Sequence, residues 1–428
     1  MRVLLFQAPV SIRSPHAQLS PPLGLAYVAQ YLIERGHEVQ LVDLNLTGLN
    51  PARITATLNR VRPEFVGISS HTETYPNAVA LAHLVKQHDL STKVILGGPH
   101  ASILPLDALA EPDVDYVAVG EGEQTAAELV HALEGGVDQA AIARIAGLGH
   151  KVDGVSTLNA RREPLEAAEI GRPARQLLSL EFYEDAHNVL AARGGCPYHC
   201  PFCSASYIWG GHRRMRPVAD ILDEVDEVIR DYGAQHVFFV DDILTMDRRW
   251  LDELMDAIEE RGRGFTWGCA TRVDRVDDAM LQRMAATGCT GIQFGIESGA
   301  QEILDSVKGI RKEDALEAVR CAVAAGINVA CSFMIPFPDD TDETLAQSGA
   351  FMADVRAAGG QLLISYTTPF PGTVFYERAE ELGLKILTRD WSLYDCKHVV
   401  METKNLSKER IEALAHHIAD DLGLAQTE

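Results

Sequence analysis

The sequence predicts an α/β protein built of two parallel-stranded units, and three observations support this prediction. Short β-rich runs alternate with amphipathic helical patterns over residues 1–135, and the alternation restarts at residue 188 and continues to 370. A chain of 428 residues is longer than one hydrophobic core usually serves. Its 46% hydrophobic and 23% charged residues are typical of a globular protein. We therefore expect a doubly wound parallel sheet followed by a partial TIM-type barrel of six β/α units.

The first unit contains the β-rich runs RVLLFQ, EVQLV, FVGISS, KVILGG and DYVAVG, each followed by a helical pattern. The first helix, predicted over 22–35, has Leu25, Val28 and Leu32 on one face and Gly36 just past its end. The loops after the strands are rich in Gly, Ser and Pro. In a Rossmann-like sheet the carboxyl edge of the strands forms the ligand crevice, so we expect a ligand there.

Residues 136–187 lose the alternation, and we predict a linker that contains a hairpin. The pattern then resumes with NVLAA, HVFFV, FTWGCA, GIQFGI, INVACSFMI and QLLISYT, which are the six strands predicted for a barrel over 188–370. Residues 371–428 are predicted to form a short helical C-terminal region, with helices at 373–382 and 407–422.

The charge balance excludes several classes of partner. Lys and Arg total 38 against 61 Asp and Glu, a net charge of -23, which repels phosphate backbones and anionic bilayers. We therefore expect no nucleic acid and no membrane as partner. The amino terminus resembles a first strand and not a signal segment, and no apolar run is long enough to span a bilayer. A cytoplasmic location follows, where clustered cysteines stay reduced and more often bind metal than form disulfides.

Three cysteines stand close together in the stretch RGGCPYHCPFCSAS, directly after the first predicted barrel strand. Cys196, Cys200 and Cys203 can each bind one iron of a [4Fe-4S] cluster, and the missing fourth ligand leaves one iron open to another molecule. The carboxyl end of a barrel strand is where active sites lie. Two alternatives remain at this point: a zinc site completed by His199 or His212, and three unrelated buried thiols.

The pattern Cys196-x-x-x-Cys200-x-Phe202-Cys203 resembles the signature of radical S-adenosylmethionine (radical SAM) enzymes. The resemblance extends through FFVDDILT, CATRVDRV, FGIESGAQEIL and the closing segments PFPGTVFYERAEELG and DWSLYD. It implies that the amino and carboxyl groups of S-adenosylmethionine fill the open iron site, with SAM-binding residues Phe202, Asp241, Asp242, Arg272, Glu297 and Ser298. One departure is Pro336 where many relatives carry glycine, which puts the backbone contacts of the adenine at that strand in doubt.

The first unit lacks the usual nucleotide fingerprints, because GEGEQT has Thr125 at the third glycine position of G-x-G-x-x-G and no G-x-x-x-x-G-K occurs. Its segments PPLGLAYVAQYLIERGHEV, VGISSHTETYP, VILGGPHAS and VDYVAVGEGEQT resemble the cobalamin-binding domain fused ahead of radical SAM barrels. The cobalamin contacts that this resemblance implies are Ser69, Ser70, Thr72, Gly97, Gly98, Pro99, His100, Gly120, Glu121 and Gly122. The alternative is that these glycines only begin helices in an ordinary wound fold.

The cobalt-ligating motif D-x-H-x-x-G of many cobalamin domains is absent, since the corresponding place has QAPVSIRSPH. We therefore expect no protein imidazole below the cobalt, with His71 and His100 as the nearest candidates for an unusual ligand.

The two resemblances together imply an enzyme with a [4Fe-4S] cluster, S-adenosylmethionine and cobalamin as cofactors. It would cleave S-adenosylmethionine to a 5′-deoxyadenosyl radical and methylate an unactivated carbon of a small molecule through methylcobalamin. A one-electron reductant such as flavodoxin or ferredoxin would be its protein partner. The first alternative is a radical SAM cyclase, dehydratase or ring-rearranging enzyme without net methyl transfer. The second is a zinc-stabilised binding protein.

Overall fold

A computed structural model describes residues 1–11, 19–183, 187–262 and 264–423. The chain divides into two compact units, residues 1–186 and 187–428. Both are α/β, as the sequence predicts. No helix within the described residues is long and apolar enough to cross a membrane.

The first unit has a seven-stranded sheet in the order β2-β1-β3-β4-β5-β6-β7. Its strands β1 to β5 are parallel, whereas β6 and β7 are antiparallel. The strands are β1 Arg2–Gln7, β2 Glu38–Asp43, β3 Phe65–Ser69, β4 Lys93–Gly97, β5 Tyr116–Ala118, β6 Leu148–Val152 and β7 Val155–Leu158. The helices are α1 Leu23–Ile33, α2 Leu44–Thr47, α3 Pro51–Val61, α4 Tyr75–His88, α5 Pro99–Ile103, α6 Pro105–Ala110, α7 Gly122–Leu133 and α8 Gln139–Ile142.

The hairpin expected within the linker 136–187 is part of this first sheet. Strand β6 pairs with β5 through Tyr116 and His150, and β7 pairs with β6. The edge of β5 supplies unpaired backbone groups, so an adjacent antiparallel hairpin satisfies them better than solvent-exposed linker would. Residues 136–186, which correspond to the predicted linker, accordingly group with the first unit by their contacts.

The second unit is an open barrel whose six parallel strands lie in the order β15-β14-β13-β12-β11-β8. The six predicted strands are all present, together with two short antiparallel ribbons, β9–β10 and β16–β17. The strands are β8 Asn188–Val189, β9 Ala192–Arg193, β10 Arg214–Met215, β11 His236–Phe239, β12 Thr266–Arg272, β13 Cys289–Glu297, β14 Asn328–Ile335, β15 Gln361–Tyr366, β16 Lys385–Ile386 and β17 Met401–Glu402.

Helices cover one face of this second sheet. The helices that contribute to this covering are α10 Val218–Tyr232, α11 Arg248–Glu260, α12 Asp278–Ala286, α13 Gln301–Val307, α14 Lys312–Ala324, α15 Asp342–Ala357 and α17 Lys408–Asp421. The second unit also contains the short helices α9 Ala205–Trp209 and α16 Val374–Glu377. Alternate strand residues such as Trp267, Phe294 and Phe333 are fully buried in the core beneath them. The tail differs from the prediction, because the helix expected at 373–382 is only the single turn of α16. Thr373 caps that turn by accepting the Tyr376 N–H.

Candidate active site

The cysteine loop begins where β9 ends, and two glycines fix its path. A Cβ atom on Gly195 would stand 1.5 Å from the Gly210 carbonyl oxygen, and one on Gly194 would stand 2.0 Å from that of His212. Gly194 also has φ +97°, a conformation that residues with side chains rarely adopt. The RGGC sequence is therefore required for the loop to pass beside the segment that leads into β10, and it presents Cys196 immediately afterwards.

Asp241 holds the strand that leads into this loop. Its carboxylate accepts the backbone N–H groups of Ala191 (2.9 Å) and Ala192 (2.7 Å), and it pairs with the Arg213 guanidinium at 3.3 Å. Burial raises the pKa of Asp241 to about 6, against the lowering effect of these donors, so it is ionised at neutral pH. Its oxygens are used in positioning the loop.

Asp242, the second member of the predicted aspartate pair, has a different environment. Its side chain is accessible to solvent although protein surrounds it, as expected in the mouth of a barrel. Its negative charge contributes to raising the pKa of Cys196 and of Cys203. Of the two aspartates, Asp242 is therefore the one that faces the thiols.

The three cysteine thiols are half-buried and close enough to affect one another's ionisation. Burial raises the pKa of all three, that of Cys203 to about 11. Among the described residues, no three His, Cys, Asp or Glu side chains are arranged to hold a metal ion as they stand. Because each thiol would ligate a different iron of a cluster, the three sulfurs need not converge on a single ion, and iron would displace their protons on binding.

Two cations lie beside Cys200 and act against the effect of burial on its pKa, Lys308 first and Arg272 second. The Arg272 guanidinium is 3.9 Å from the Cys200 sulfur and 3.9 Å from the centre of the Tyr198 ring. It also makes a two-pronged pair with Asp274 at 2.8 and 3.0 Å. Arg272 is thus fixed as an N–H donor to a sulfur that would ligate iron.

Lys308 is a site residue that the sequence analysis missed. Its ammonium donates to Glu297 at 2.7 Å and to the Gly295 carbonyl at 2.6 Å, and it is almost fully buried. Lys308 follows α13, 11 residues after Glu297 in the chain, so no strand-end pattern points to it. Glu297 has φ +82° at an irregularity in the β13–β14 pairing, a strained conformation of the kind found at functional sites.

Two further predicted SAM contacts are packed against protein. The Ser298 hydroxyl is buried and accepts the Ala300 N–H at 3.2 Å. The Phe202 ring packs against Phe337 and Phe375, with ring centres 5.7 and 6.3 Å apart. Phe202 therefore packs the cysteine loop against two aromatic rings of the second unit, whereas Ser298 organises the turn that leads into α13.

The first unit brings its predicted cobalamin contacts together at the carboxyl edge of the sheet. Ser69 and Gly97, paired in register, end β3 and β4. Pro99 and His100 begin α5, and Gly120, Glu121 and Gly122 lie at the start of α7. Their clustering agrees with the rule that ligands bind outside the carboxyl ends of parallel strands.

Two features of this edge fit a bound cofactor. The Ser70 hydroxyl is fully buried and has no hydrogen-bond partner within the described part of the chain. Gly98 has φ +89°, and a Cβ there would stand 2.6 Å from the Ser70 carbonyl oxygen. Ser102, which the sequence analysis missed, joins two of the loops by donating to the Gly98 carbonyl (2.9 Å) and accepting from the Gly120 N–H (3.0 Å).

Not every predicted contact is available to a ligand. The His100 ring is buried, lies 4.2 Å from the Tyr75 ring and hydrogen-bonds to Thr72. Burial lowers the pKa of His100 to about 4, so the imidazole is neutral. The Glu121 carboxylate accepts the Leu165 N–H at 3.0 Å. His71 is exposed, and the part of QAPVSIRSPH from residue 12 onward lies outside the described residues.

The comparisons with known proteins agree with both units. The radical SAM superfamily model matches residues 193–352, and the B12 binding domain model matches residues 13–130. An uncharacterized methyltransferase of Pyrococcus horikoshii is 31% identical over 423 residues, covering 97% of this chain and 90% of that protein. The chain therefore belongs to the radical SAM superfamily, in the group that carries a B12-binding domain ahead of the barrel.

Two other relatives are named for two different activities, methyl transfer and cyclisation. The chain is 28% identical over 413 residues to the cytidylyl-2-hydroxyethylphosphonate methyltransferase of Streptomyces wedmorensis, covering 80% of this chain and 77% of that protein. It is 26% identical over 396 residues to the anaerobic magnesium-protoporphyrin IX monomethyl ester cyclase of Rubrivivax gelatinosus, covering 89% and 70%.

Solved structures confirm the predicted fold. OxsB, a cobalamin-dependent S-adenosylmethionine radical enzyme solved with aqua-cobalamin and S-adenosylmethionine, gives a TM-score of 0.77 at 18% identity, covering 97% of this chain and 65% of that chain. The radical S-adenosylmethionine methyltransferase TsrM of Kitasatospora setae, solved with cobalamin and a [4Fe-4S] cluster, gives 0.74 at 20% identity, covering 90% and 80%.

Proposed function

We propose that this protein is a cobalamin-dependent radical SAM methyltransferase that methylates an unactivated carbon of a small molecule. The single observation that carries the proposal is the group around Cys196, Cys200 and Cys203, in which Arg272 donates toward a thiol sulfur at 3.9 Å. The family membership of the chain points the same way.

The residues of the second unit fit a [4Fe-4S] cluster and S-adenosylmethionine. Three thiols on one loop provide three ligands, and the fourth iron position is left for the amino and carboxyl groups of S-adenosylmethionine. When bound, the cluster supplies the electron that splits S-adenosylmethionine to a 5′-deoxyadenosyl radical, and cobalamin supplies the methyl group.

Individual side chains of the second unit have separate tasks in this proposal. Asp242 would accept a hydrogen bond from the neutral, iron-bound methionine amine, because its carboxylate is the accessible one of the pair. Glu297 accepts hydrogen bonds from the ribose hydroxyls, and Lys308 orients that carboxylate by donating to it at 2.7 Å. Asp241 positions the cysteine loop through two backbone N–H groups.

The residues of the first unit fit cobalamin. The buried Ser70 hydroxyl offers a hydrogen bond to the nucleotide tail, and the glycines at 97, 98 and 120 allow the tail to approach the backbone. Because His100 is buried against Tyr75, its imidazole is unavailable to cobalt. We therefore propose that His100 would not ligate the cobalt of a bound cobalamin.

The alternative to methyl transfer is a radical SAM cyclase, because cyclases are among the relatives of this chain. The two differ in product mass, because methyl transfer adds one carbon and two hydrogens net and cyclisation adds no carbon. In either case we propose a small-molecule substrate, and a one-electron reductant such as flavodoxin or ferredoxin that supplies electrons in the cytoplasm.

The experiment that tests the proposal uses full-length protein, purified anaerobically and reconstituted with iron, sulfide and hydroxocobalamin. Wild-type protein with S-adenosylmethionine and dithionite is expected to form 5′-deoxyadenosine and methionine. Cys200→Ala should abolish 5′-deoxyadenosine while it leaves corrinoid binding unchanged. Cys321→Ala, which changes a half-buried cysteine on α14, is the matched control and should behave as wild type. Undiminished turnover in Cys200→Ala would refute the proposed cluster.

A further inference from the structure

The six-stranded sheet of the second unit has one face that the helices do not cover. Alternate residues such as Trp267, Phe294 and Phe333 are buried beneath the helices. The residues between them point to the opposite side, and most of them are half-exposed or exposed. We call this side the inner face and define it by six residues, Phe238, Ala270, Gln293, Ala330, Ser332 and Leu363.

The inner face has room for another molecule. A Cβ added at Gly291 would have no heavy atom within 4 Å, so the space above this residue is open. Gln293 has Ala270 and Ala330 as its neighbours on the two adjacent strands, and both are small. Leu363, on the edge strand β15, keeps 46% of its surface exposed, an unusual exposure for a large apolar side chain.

Charge is absent from this face except at its carboxyl edge. In strands β8, β11, β12, β13, β14 and β15, the charged residues are Arg272 and Glu297, and each is the last residue of its strand. Arg272 is paired with Asp274 and Glu297 with Lys308. A phosphate or carboxylate bound deeper on the inner face would therefore lose hydration without gaining a cation, which costs several kcal/mol.

We infer that the inner face binds the substrate, and that the part of the substrate bound there is an uncharged, mainly apolar carbon skeleton carrying a hydrogen-bonding group such as a hydroxyl. This inference rests on the proposed function for the identity of the bound molecule as substrate. Gln293 is the polar group that recognises the hydroxyl. Its side-chain N–H donates to Ser332 at 3.1 Å, and its carbonyl oxygen has no hydrogen-bond partner among the residues described.

Leu363 allows a test in which a positive charge is introduced on the inner face. Because its side chain is 46% exposed, lysine can replace it without disrupting the hydrophobic core. Equilibrium dialysis of the reconstituted full-length protein with S-adenosylmethionine would compare 1-decanol with decyl phosphate, a neutral and an anionic probe of the same chain length. The wild type should bind decanol and discriminate against decyl phosphate. Leu363→Lys should bind decanol about tenfold more weakly, since one leucine contact is lost, and should shift the preference toward decyl phosphate.

Leu90→Lys is the matched control, because Leu90 is 79% exposed and belongs to the first unit. It should leave both affinities unchanged. Equal or tighter binding of decyl phosphate by the wild type would overturn the inference, and so would binding of neither probe or an unchanged preference in Leu363→Lys. Because the readout is binding, a protein that shows this selectivity yet transfers no methyl group would contradict only the proposed function.

Discussion

Replacing Asp241 by asparagine should loosen the strand that leads into the cysteine loop. The carboxylate accepts two backbone N–H groups, those of Ala191 and Ala192, and pairs with Arg213. An asparagine has only one accepting oxygen, so one buried N–H loses its acceptor, at a cost of about 1–3 kcal/mol. Arg213, whose side chain is 13% exposed, also loses its counter-charge. We expect a total loss of about 2–4 kcal/mol in the free energy of unfolding.

Urea unfolding of the intact chain, followed by tryptophan fluorescence, measures the stability of the second unit, which contains Asp241. All four tryptophans, at positions 209, 250, 267 and 391, belong to the second unit. The same variant should bind less iron after reconstitution, because the cysteine loop is less well positioned.

Asp231→Asn is the matched control for this prediction. Asp231 makes a two-pronged pair with Arg230 at 2.7 and 2.8 Å, but its side chain is 45% exposed. An ion pair this exposed contributes little to stability, because water and salt screen it, so Asp231→Asn should unfold at nearly the same urea concentration as wild type. If Asp241→Asn unfolded at the same urea concentration as Asp231→Asn and bound a full complement of iron, Asp241 would have no positioning role.

Two further predictions concern the first unit. Gly98→Ala should reduce the corrinoid retained after gel filtration severalfold, because the added Cβ would overlap the Ser70 carbonyl oxygen at 2.6 Å, whereas Gly24→Ala, with nothing within 4 Å, should retain as much as wild type. Equal retention in both would contradict the role of Gly98. For His100, the folded-state pKa of about 4 lies below the usual 6.5, so below pH 6.5 the unfolded chain binds a proton that the folded chain does not. The free energy of unfolding is therefore at its full value above pH 6.5 and decreases as pH falls toward 4. Between pH 7 and pH 5 wild type should lose about 2 kcal/mol more than His100→Asn, measured by hydrogen exchange of β4 amides, and parallel losses would contradict the buried neutral imidazole.

The sequence predicts the two sheets well because periodicity and local signals agree there. The first helix was predicted over 22–35 and is observed at Leu23–Ile33, where apolar spacing and Gly36 define its face and its end. The sequence predicts the hairpin within 136–187 but not the strand with which it pairs. Strand pairing depends on which sheet edge is free in three dimensions, and β5 offers that edge to β6.

In the candidate site too, local patterns are predictable from the sequence, whereas contacts between distant segments are not. The cysteine spacing is a local pattern, so the sequence alone indicates the loop. The distinction between Asp241 and Asp242 depends on which carboxylate reaches the Ala191 and Ala192 N–H groups, and only the fold determines that. Lys308 acts through contacts made by the path of the chain after α13 and lies beyond the segment FGIESGAQEIL. Ser102 ends the segment VILGGPHAS, but its contacts with the Gly98 carbonyl and the Gly120 N–H depend on how α5 meets the next loop.

The most direct test of the central claim is an electron paramagnetic resonance spectrum of the anaerobically reconstituted full-length protein, reduced with dithionite and recorded with and without S-adenosylmethionine. We predict the signal of a reduced [4Fe-4S] cluster, a change in that signal when S-adenosylmethionine is added, and loss of the signal in Cys200→Ala. A protein that binds iron in no reducible cluster, or a signal that S-adenosylmethionine leaves unaltered, would contradict the claim that three cysteines hold a cluster with one open iron.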